Sequence, residues 1–172
     1  SFFMKDNLFS HINIPEENTH IPDGMAKDPE SYGKIYDRLI DSAGGIDIQI
    51  LGIGSNGHIA FNEPADELNL GTGAVILSRK TIDDNARFFD SKDKVPTEAI
   101  SMGIGSIMKA RRILLLASGE GKAEAIGQIL NSGKISTWLP ASLLLLHPDV
   151  TLICDQEAFS LVDRSKMAGE IQ

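Results

Sequence analysis

Basic residues are in short supply: 16 lysines and arginines stand against 24 aspartates and glutamates, a formal net charge of −8. Generic nucleic-acid binding needs a basic stripe that neutralises phosphates, and the sequence has none. The acidic average is equally wrong for an anionic membrane surface. An anionic ligand would need a local basic site that overcomes the mean field. Cysteine is rarer still. The single thiol, Cys154, excludes an internal disulfide framework and a cysteine zinc cluster. Its place at the end of the apolar run Val150–Cys154 reads as an inert, buried core thiol. No apolar run approaches the ~20 residues of a membrane span, and no basic segment leads into a hydrophobic one as in a secretory signal. None of the four histidines (His11, His20, His58, His147) has a partner at His-x-x-x-His spacing, so no metal site is expected. A soluble, cytoplasmic protein without nucleic-acid or membrane partners is the expectation.

What is present is an ordinary globular composition, 42% hydrophobic and 23% charged over 172 residues, which suits one α/β domain over 1–172. The chain opens at Ser1 in the amphipathic Phe2-Phe3-Met4-Lys5-Asp6-Asn7-Leu8-Phe9. That start reads as a fragment or a processed chain, or as a helix over 1–12 with Ser1 as its N-cap. Pro29 fits the first turn of a second helix running to about Ser42, stopped by Gly44-Gly45. Residues 46–53 read as a buried strand, 74–78 and 98–102 as further strands, and 82–89 as a short helix. A helical turn at 105–109, a strand at 112–117 apolar on both faces, a helix at 120–130, a helical segment at 138–146 and a strand at 149–154 complete the pattern. Apolar strands alternating with helices predict an open, mostly parallel, Rossmann-like sheet with helices on both faces.

Two loops follow strands and carry chemistry. Gly52-Ile53-Gly54-Ser55-Asn56-Gly57 spells G-x-G-x-x-G, and Arg79 after the next strand could suit a 2′-phosphate. Dinucleotide binding requires the third glycine to open a helix facing the pyrophosphate. Here Gly57 leads into His58-Ile59-Ala60-Phe61-Asn62-Glu63-Pro64, with no room for a long helix, so nicotinamide chemistry is the weaker reading. The alternative for these glycines is a tight turn needing positive φ. His58 and Glu63, five apart at the C-terminal edge of the strand, can reach each other, and a carboxylate would fix the imidazole's tautomer for proton transfer. The residues alone leave a structural hydrogen bond equally open. Ser118-Gly119-Glu120-Gly121-Lys122-Ala123 departs from a Walker A loop but offers backbone N–H groups and an ammonium at a helix start. Arg87, beside Phe88 and Phe89, reads either as a phosphate fork or as a stem packed on the core.

The segment from Gly52 to Pro64 closely resembles the signature of the glucosamine-6-phosphate deaminases. The similarity extends through Ile14-Pro15, Arg87-Phe88-Phe89-Asp90, Val95-Pro96, Trp138, His147-Pro148 and Cys154-Asp155. The sister 6-phosphogluconolactonases lack Phe-Asn-Glu-Pro after the histidine. The resemblance implies an enzyme that opens an amino-sugar phosphate ring, moves a proton from C2 to C1 and releases ammonia, using neither metal nor organic cofactor. It implies that His58 shuttles the proton at the ring oxygen and that Glu63 orients the imidazole. Asn56 stands where some members carry Asp; an amide can hydrogen-bond but cannot hold charge. Gly57, Arg87 and Lys122 fall on substrate-binding positions, the latter two gripping the phosphate.

Two departures bear on activity. The family's N-terminal third, with its first strand, a phosphate loop and the Asp that takes the C2 proton, has no counterpart here, so the 172 residues alone are expected to be inactive. Allosteric members bind N-acetylglucosamine 6-phosphate through hydroxyls and bases where this sequence has Asp66, Glu67, Gly73 and Val75, so that activation is not expected. Galactosamine 6-phosphate as substrate, a non-catalytic sugar-phosphate-sensing domain of a transcriptional regulator, and a homo-oligomer all stay open.

Overall fold

A computed structural model describes residues 2–166. Helix α1 covers Phe2–Asn7 and stops earlier than its pattern suggests, because Leu8 leaves helical geometry and Phe9–His11 form a separate 3-10 turn. The expected Ser1 cap lies outside the described residues. Helix α2, Pro29–Ser42, starts as predicted, with Pro29 in its first turn and Asp28 accepting from the Ser31 N–H at 3.1 Å. Gly44 and Gly45 both take positive φ and end it.

Strand β1 is Ile48–Gly52 and β2 is Gly73–Ile76. Helix α3, Arg79–Asn85, begins three residues before the apolar pattern suggested, because Ser78 caps it by accepting from the Thr81 N–H. Strand β3 is Glu98–Ser101 and helix α4 is Ile104–Met108. Strand β4, Arg112–Ala117, leads through a 3-10 turn, Glu120–Lys122, into helix α5, Ala123–Ser132. The segment 138–146 is helical only from Pro140, as a 3-10 helix, and leaves Trp138 exposed. Strand β5 is Val150–Cys154.

The main sheet is parallel in the order β1-β4-β5, with Ile50 opposite Leu114 and Leu114 opposite Thr151. Strands β2 and β3 do not join this sheet but form a separate antiparallel pair. Helix α2 crosses the start of this pair at Gly33, where a Cβ would lie 1.8 Å from the Thr72 carbonyl oxygen. Asp37 of α2 fastens the crossing, accepting from Thr72 N, Thr72 Oγ1 and Ser106 Oγ at 2.6–2.8 Å.

The parallel α/β architecture is the one expected, but its covering differs. One face of the sheet packs Leu51, Ile113, Leu115 and Ala117 against Ile104 and Ile107 of α4 and Ala125, Ile126 and Ile129 of α5. On the opposite face Ile48, Ile50, Leu116 and Ile153 are exposed among the described residues. A run apolar on both sides predicts burial on both sides, whereas α2 packs on β2 rather than on this sheet. Cys154 ends β5 half-buried rather than in the core. Burial and the neighbouring Asp155 push its thiol pKa up, so it stays protonated.

Candidate active site

The loop after β1 closes on itself. Gly54 N–H donates to the His58 carbonyl at 2.8 Å and Gly57 N–H to the Gly54 carbonyl at 3.0 Å. The glycines serve different needs. Only Gly57 takes positive φ, +80°. Gly54 is required by proximity, since a Cβ there would sit 2.3 Å from the His58 ring. No helix follows Gly57, so the pyrophosphate-facing N-terminus of a dinucleotide site is missing at this loop. Asn62, 3% exposed, donates to the carbonyls of Ile59 and Met102 and moors the loop to the end of β3.

Within this frame the imidazole and the carboxylate meet through an amide. His58 Nδ1 lies 2.7 Å from Asn56 Oδ1 but 3.6 Å from the nearer Glu63 oxygen, so the direct orientation of His58 by Glu63 expected from the sequence is replaced by an indirect one. Asn56 Nδ2 donates to Glu63 Oε2 at 2.7 Å. The other carboxylate oxygen accepts from Thr81 Oγ1 and from the Ser78 N–H at 3.4 Å. Burial would raise the Glu63 pKa, but the Thr81 and Asn56 donors and the nearby imidazole outweigh it and hold the carboxyl below its ordinary value. An ionised carboxylate only accepts, which turns the Asn56 NH2 toward Glu63 and its oxygen toward His58. Nδ1 therefore carries the proton and Nε2 the lone pair. Burial lowers the His58 pKa further than Glu63 and Asp84 raise it, and Lys122 lowers it too, so the ring is neutral at pH 7. The arrangement can accept a proton at Nε2 and spread the resulting charge toward Glu63.

The second loop, after β4, is held by Asp155 at the end of β5. Its carboxylate accepts from Ser118 Oγ at 2.6 Å and from Gly119 N–H at 2.8 Å. The Gly119 N–H is thus engaged and not free for a phosphate, as the sequence pattern had implied. Lys122 ends the 3-10 turn and caps α5. Burial lowers its pKa, Asp84 opposes this, and Arg87 and Lys80 lower it again, which brings three cations to one region. Arg87 lies on the 3-10 turn Ala86–Phe88, with its guanidinium carbon 4.8 Å from the centre of the Phe88 ring. Gly57 offers no spare backbone group, because its carbonyl accepts from Ala141 N–H at 2.9 Å.

The remaining histidines stand apart. His147 is buried, with Nε2 2.7 Å from the Ala110 carbonyl, and His11 binds the Asp6 carbonyl at the surface. Among the described residues no group of three or more histidine, cysteine or acidic side chains could hold a metal, and no helix is long and apolar enough to cross a membrane. Sequence reasoning missed Ser78 and Thr81. The Ser-x-x-Thr spacing of a capped first turn was the available signal.

Comparison with known proteins gives this geometry a family. The profile of the glucosamine-6-phosphate isomerases/6-phosphogluconolactonases matches residues 2–153. Glucosamine-6-phosphate deaminases of Thermoanaerobacter pseudethanolicus and Halothermothrix orenii are 55% and 57% identical over 161 residues, 94% of this chain. The chain spans 63% and 66% of their lengths. A solved monomeric glucosamine-6-phosphate deaminase is 49% identical and superposes with a TM-score of 0.88, over 93% of this chain and 66% of that one. A 6-phosphogluconolactonase from Thermotoga maritima is more distant, at 26% identity and a TM-score of 0.60 over 88% of this chain and 63% of that one. The chain belongs to the glucosamine-6-phosphate isomerase/6-phosphogluconolactonase family.

Proposed function

We propose that this chain carries the proton-shuttle and phosphate-anchor portion of a glucosamine-6-phosphate deaminase, which converts glucosamine 6-phosphate and water to fructose 6-phosphate and ammonia. The observation that carries the reading is the His58–Asn56–Glu63 chain, with a neutral imidazole whose Nδ1 proton is committed to an amide. Nε2 would take the anomeric hydroxyl proton and pass it to the ring oxygen as the bond from C1 to that oxygen breaks. Glu63 would stabilise the transient imidazolium through Asn56. Lys122 and Arg87 would hold the phosphate, and Gly57 would contribute by shaping the loop rather than by donating a bond.

Overall identity places this chain nearer the deaminases than the lactonases. Relatives above 50% identity are named deaminases, while the lactonases are distant. Glu63 already accepts three hydrogen bonds, so it is poorly placed to serve as the C2 base as well. With no residue of this chain assigned the C2 proton, the 172 residues alone are expected to release little or no ammonia, and a full-length product spanning the length of the deaminases it matches is the species to assay.

Ammonia and fructose 6-phosphate should form together from glucosamine 6-phosphate, without added metal or nicotinamide cofactor. Galactosamine 6-phosphate run alongside fixes the epimer. Saturable sugar-phosphate binding with no ammonia from either epimer would identify a sensor instead and end the catalytic reading. Added N-acetylglucosamine 6-phosphate is expected to leave the rate curve unchanged, because Asp66 and Glu67 would repel its phosphate.

A further inference from the structure

Helix α3 contributes a side chain that neither the motif nor the family resemblance assigns. Thr81 sits in its first turn and is 1% exposed. Its N–H donates to Ser78 Oγ at 3.1 Å, and Ser78 Oγ–H in turn donates to Thr81 Oγ1 at 3.0 Å. The hydroxyl oxygen of Thr81 is therefore occupied as an acceptor, and its single proton has two acceptors to choose between. His58 Nδ1, 3.5 Å away, is one; Glu63 Oε1, at close hydrogen-bonding distance, is the other. Since Nδ1 already bears a proton directed at Asn56, the Thr81 proton goes to Glu63. All the donors then point one way: Ser78 to Thr81, Thr81 to Glu63 from one side, and His58 to Asn56 to Glu63 from the other.

We propose that Thr81 is a positioning residue that keeps Glu63 an acceptor and so, through the Asn56 amide, fixes which nitrogen of His58 carries the proton. The reasoning follows the proton inventory. Without the Thr81 donor, a Glu63 largely sheltered from water takes up its proton at a higher pH. A protonated Glu63 becomes a donor, to which the Asn56 oxygen turns, presenting the amide NH2 to His58 Nδ1. Nδ1 must then accept, the ring proton moves to Nε2, and the nitrogen left to face a substrate can no longer take a proton. Threonine suits the position because its branched Cβ restricts χ1 within a helix, and the Ser78 cap removes the competing local bond. The charged groups acting on this cluster are Glu63 and His58 themselves, with Asp84 of α3 and Lys122 beyond β4 acting on the imidazole. This inference rests on the proposed proton role of His58 for its catalytic meaning, but its structural content does not.

The test is nuclear magnetic resonance on the present chain. In the unaltered chain, 15N shifts should report protonated Nδ1 and bare Nε2 on neutral His58; the reverse assignment overturns the inference at once. In Thr81→Val the Glu63 carboxyl midpoint, read from 13Cδ, should rise by about one pH unit or more, and neutral His58 should gain Nε2–H character as pH falls through that raised midpoint. Thr81→Ser should restore both. A folded Thr81→Val with unaltered Glu63 midpoint and His58 tautomer refutes the proposal. Should Thr81→Val not fold, Thr81→Ser carries the test: it must match the unaltered chain in both readouts, and a displaced midpoint refutes the proposal. In the full-length product, Thr81→Val should lower kcat increasingly as pH falls toward the raised midpoint, with KM unchanged. Altered resonances without ammonia release from any version would mean that the deaminase reading fails while the Thr81 inference stands.

Discussion

Two loops leave neighbouring strands at the same edge of the sheet, and they are built on opposite plans. The loop after β1 is folded back on itself, its chemistry-bearing side chains mostly sheltered: His58 and Glu63 are 16% and 12% exposed. Every polar atom that defines the His58 orientation is supplied from within the loop or from the first turn of α3. The loop after β4 is held from outside by Asp155, an exposed carboxylate just past the end of β5, and it ends in a lysine. The contrast fits what the proposed function asks of each. Choosing between two tautomers takes a directed, desolvated network, because an imidazole in water exchanges freely between them. Holding a phosphate takes only net positive charge within reach, which tolerates water.

The contrast can be broken at either loop. The largest effect belongs to the first: His58→Gln in the full-length product should lower kcat by roughly 10²- to 10⁴-fold, the usual worth of a general acid–base group, with KM little changed. Lys122→Ala attacks the other loop. Losing a charged hydrogen bond of about 1.5–3 kcal/mol should raise KM for the sugar phosphate by roughly 10- to 150-fold, with a smaller loss in kcat. Equal losses in kcat from both variants would dissolve the division of labour. Asp155→Ala removes the brace and not the cation, so steady-state kinetics should show a rise in KM of roughly 2- to 10-fold, the worth of about one ordinary hydrogen bond.

The smallest effect is on stability. The folded-state pKa of His58 lies below its ordinary value of 6.5, so the unfolded chain binds the proton first as pH falls. Stability is therefore full above 6.5 and declines as pH falls from there toward the folded value. Glu63 acts in the same sense lower down, its contribution present above 4.5 and lost below. Urea midpoints measured from pH 8 to 4 should fall, and His58→Gln should flatten the upper part of that fall alone.

Much of this is legible in the sequence. The apolar runs located β1, β4 and β5, and the signature loop brought His58, Asn56 and Glu63 to one place. A separation of five residues in a loop, however, says nothing about which atoms pair. It pointed to direct contact between His58 and Glu63, while the amide of Asn56 lies between them. Thr81 was missed because hydrophobic periodicity places a helix by its buried stripe, starting α3 at Ile82 and leaving its capped first turn outside. The exposed face of β1, β4 and β5 was missed for a related reason. Composition records that Ile48 and Ile50 are apolar but not which element comes to lie against them.

Gly54 sets a limit on how this loop could ever be altered. The imidazole occupies the space where any side chain at that position would begin. Even a single methyl group would have to displace the ring that the Asn56 amide holds. The position is closed to chemical variety, and the proton's address on His58 is written partly by an atom that is not there.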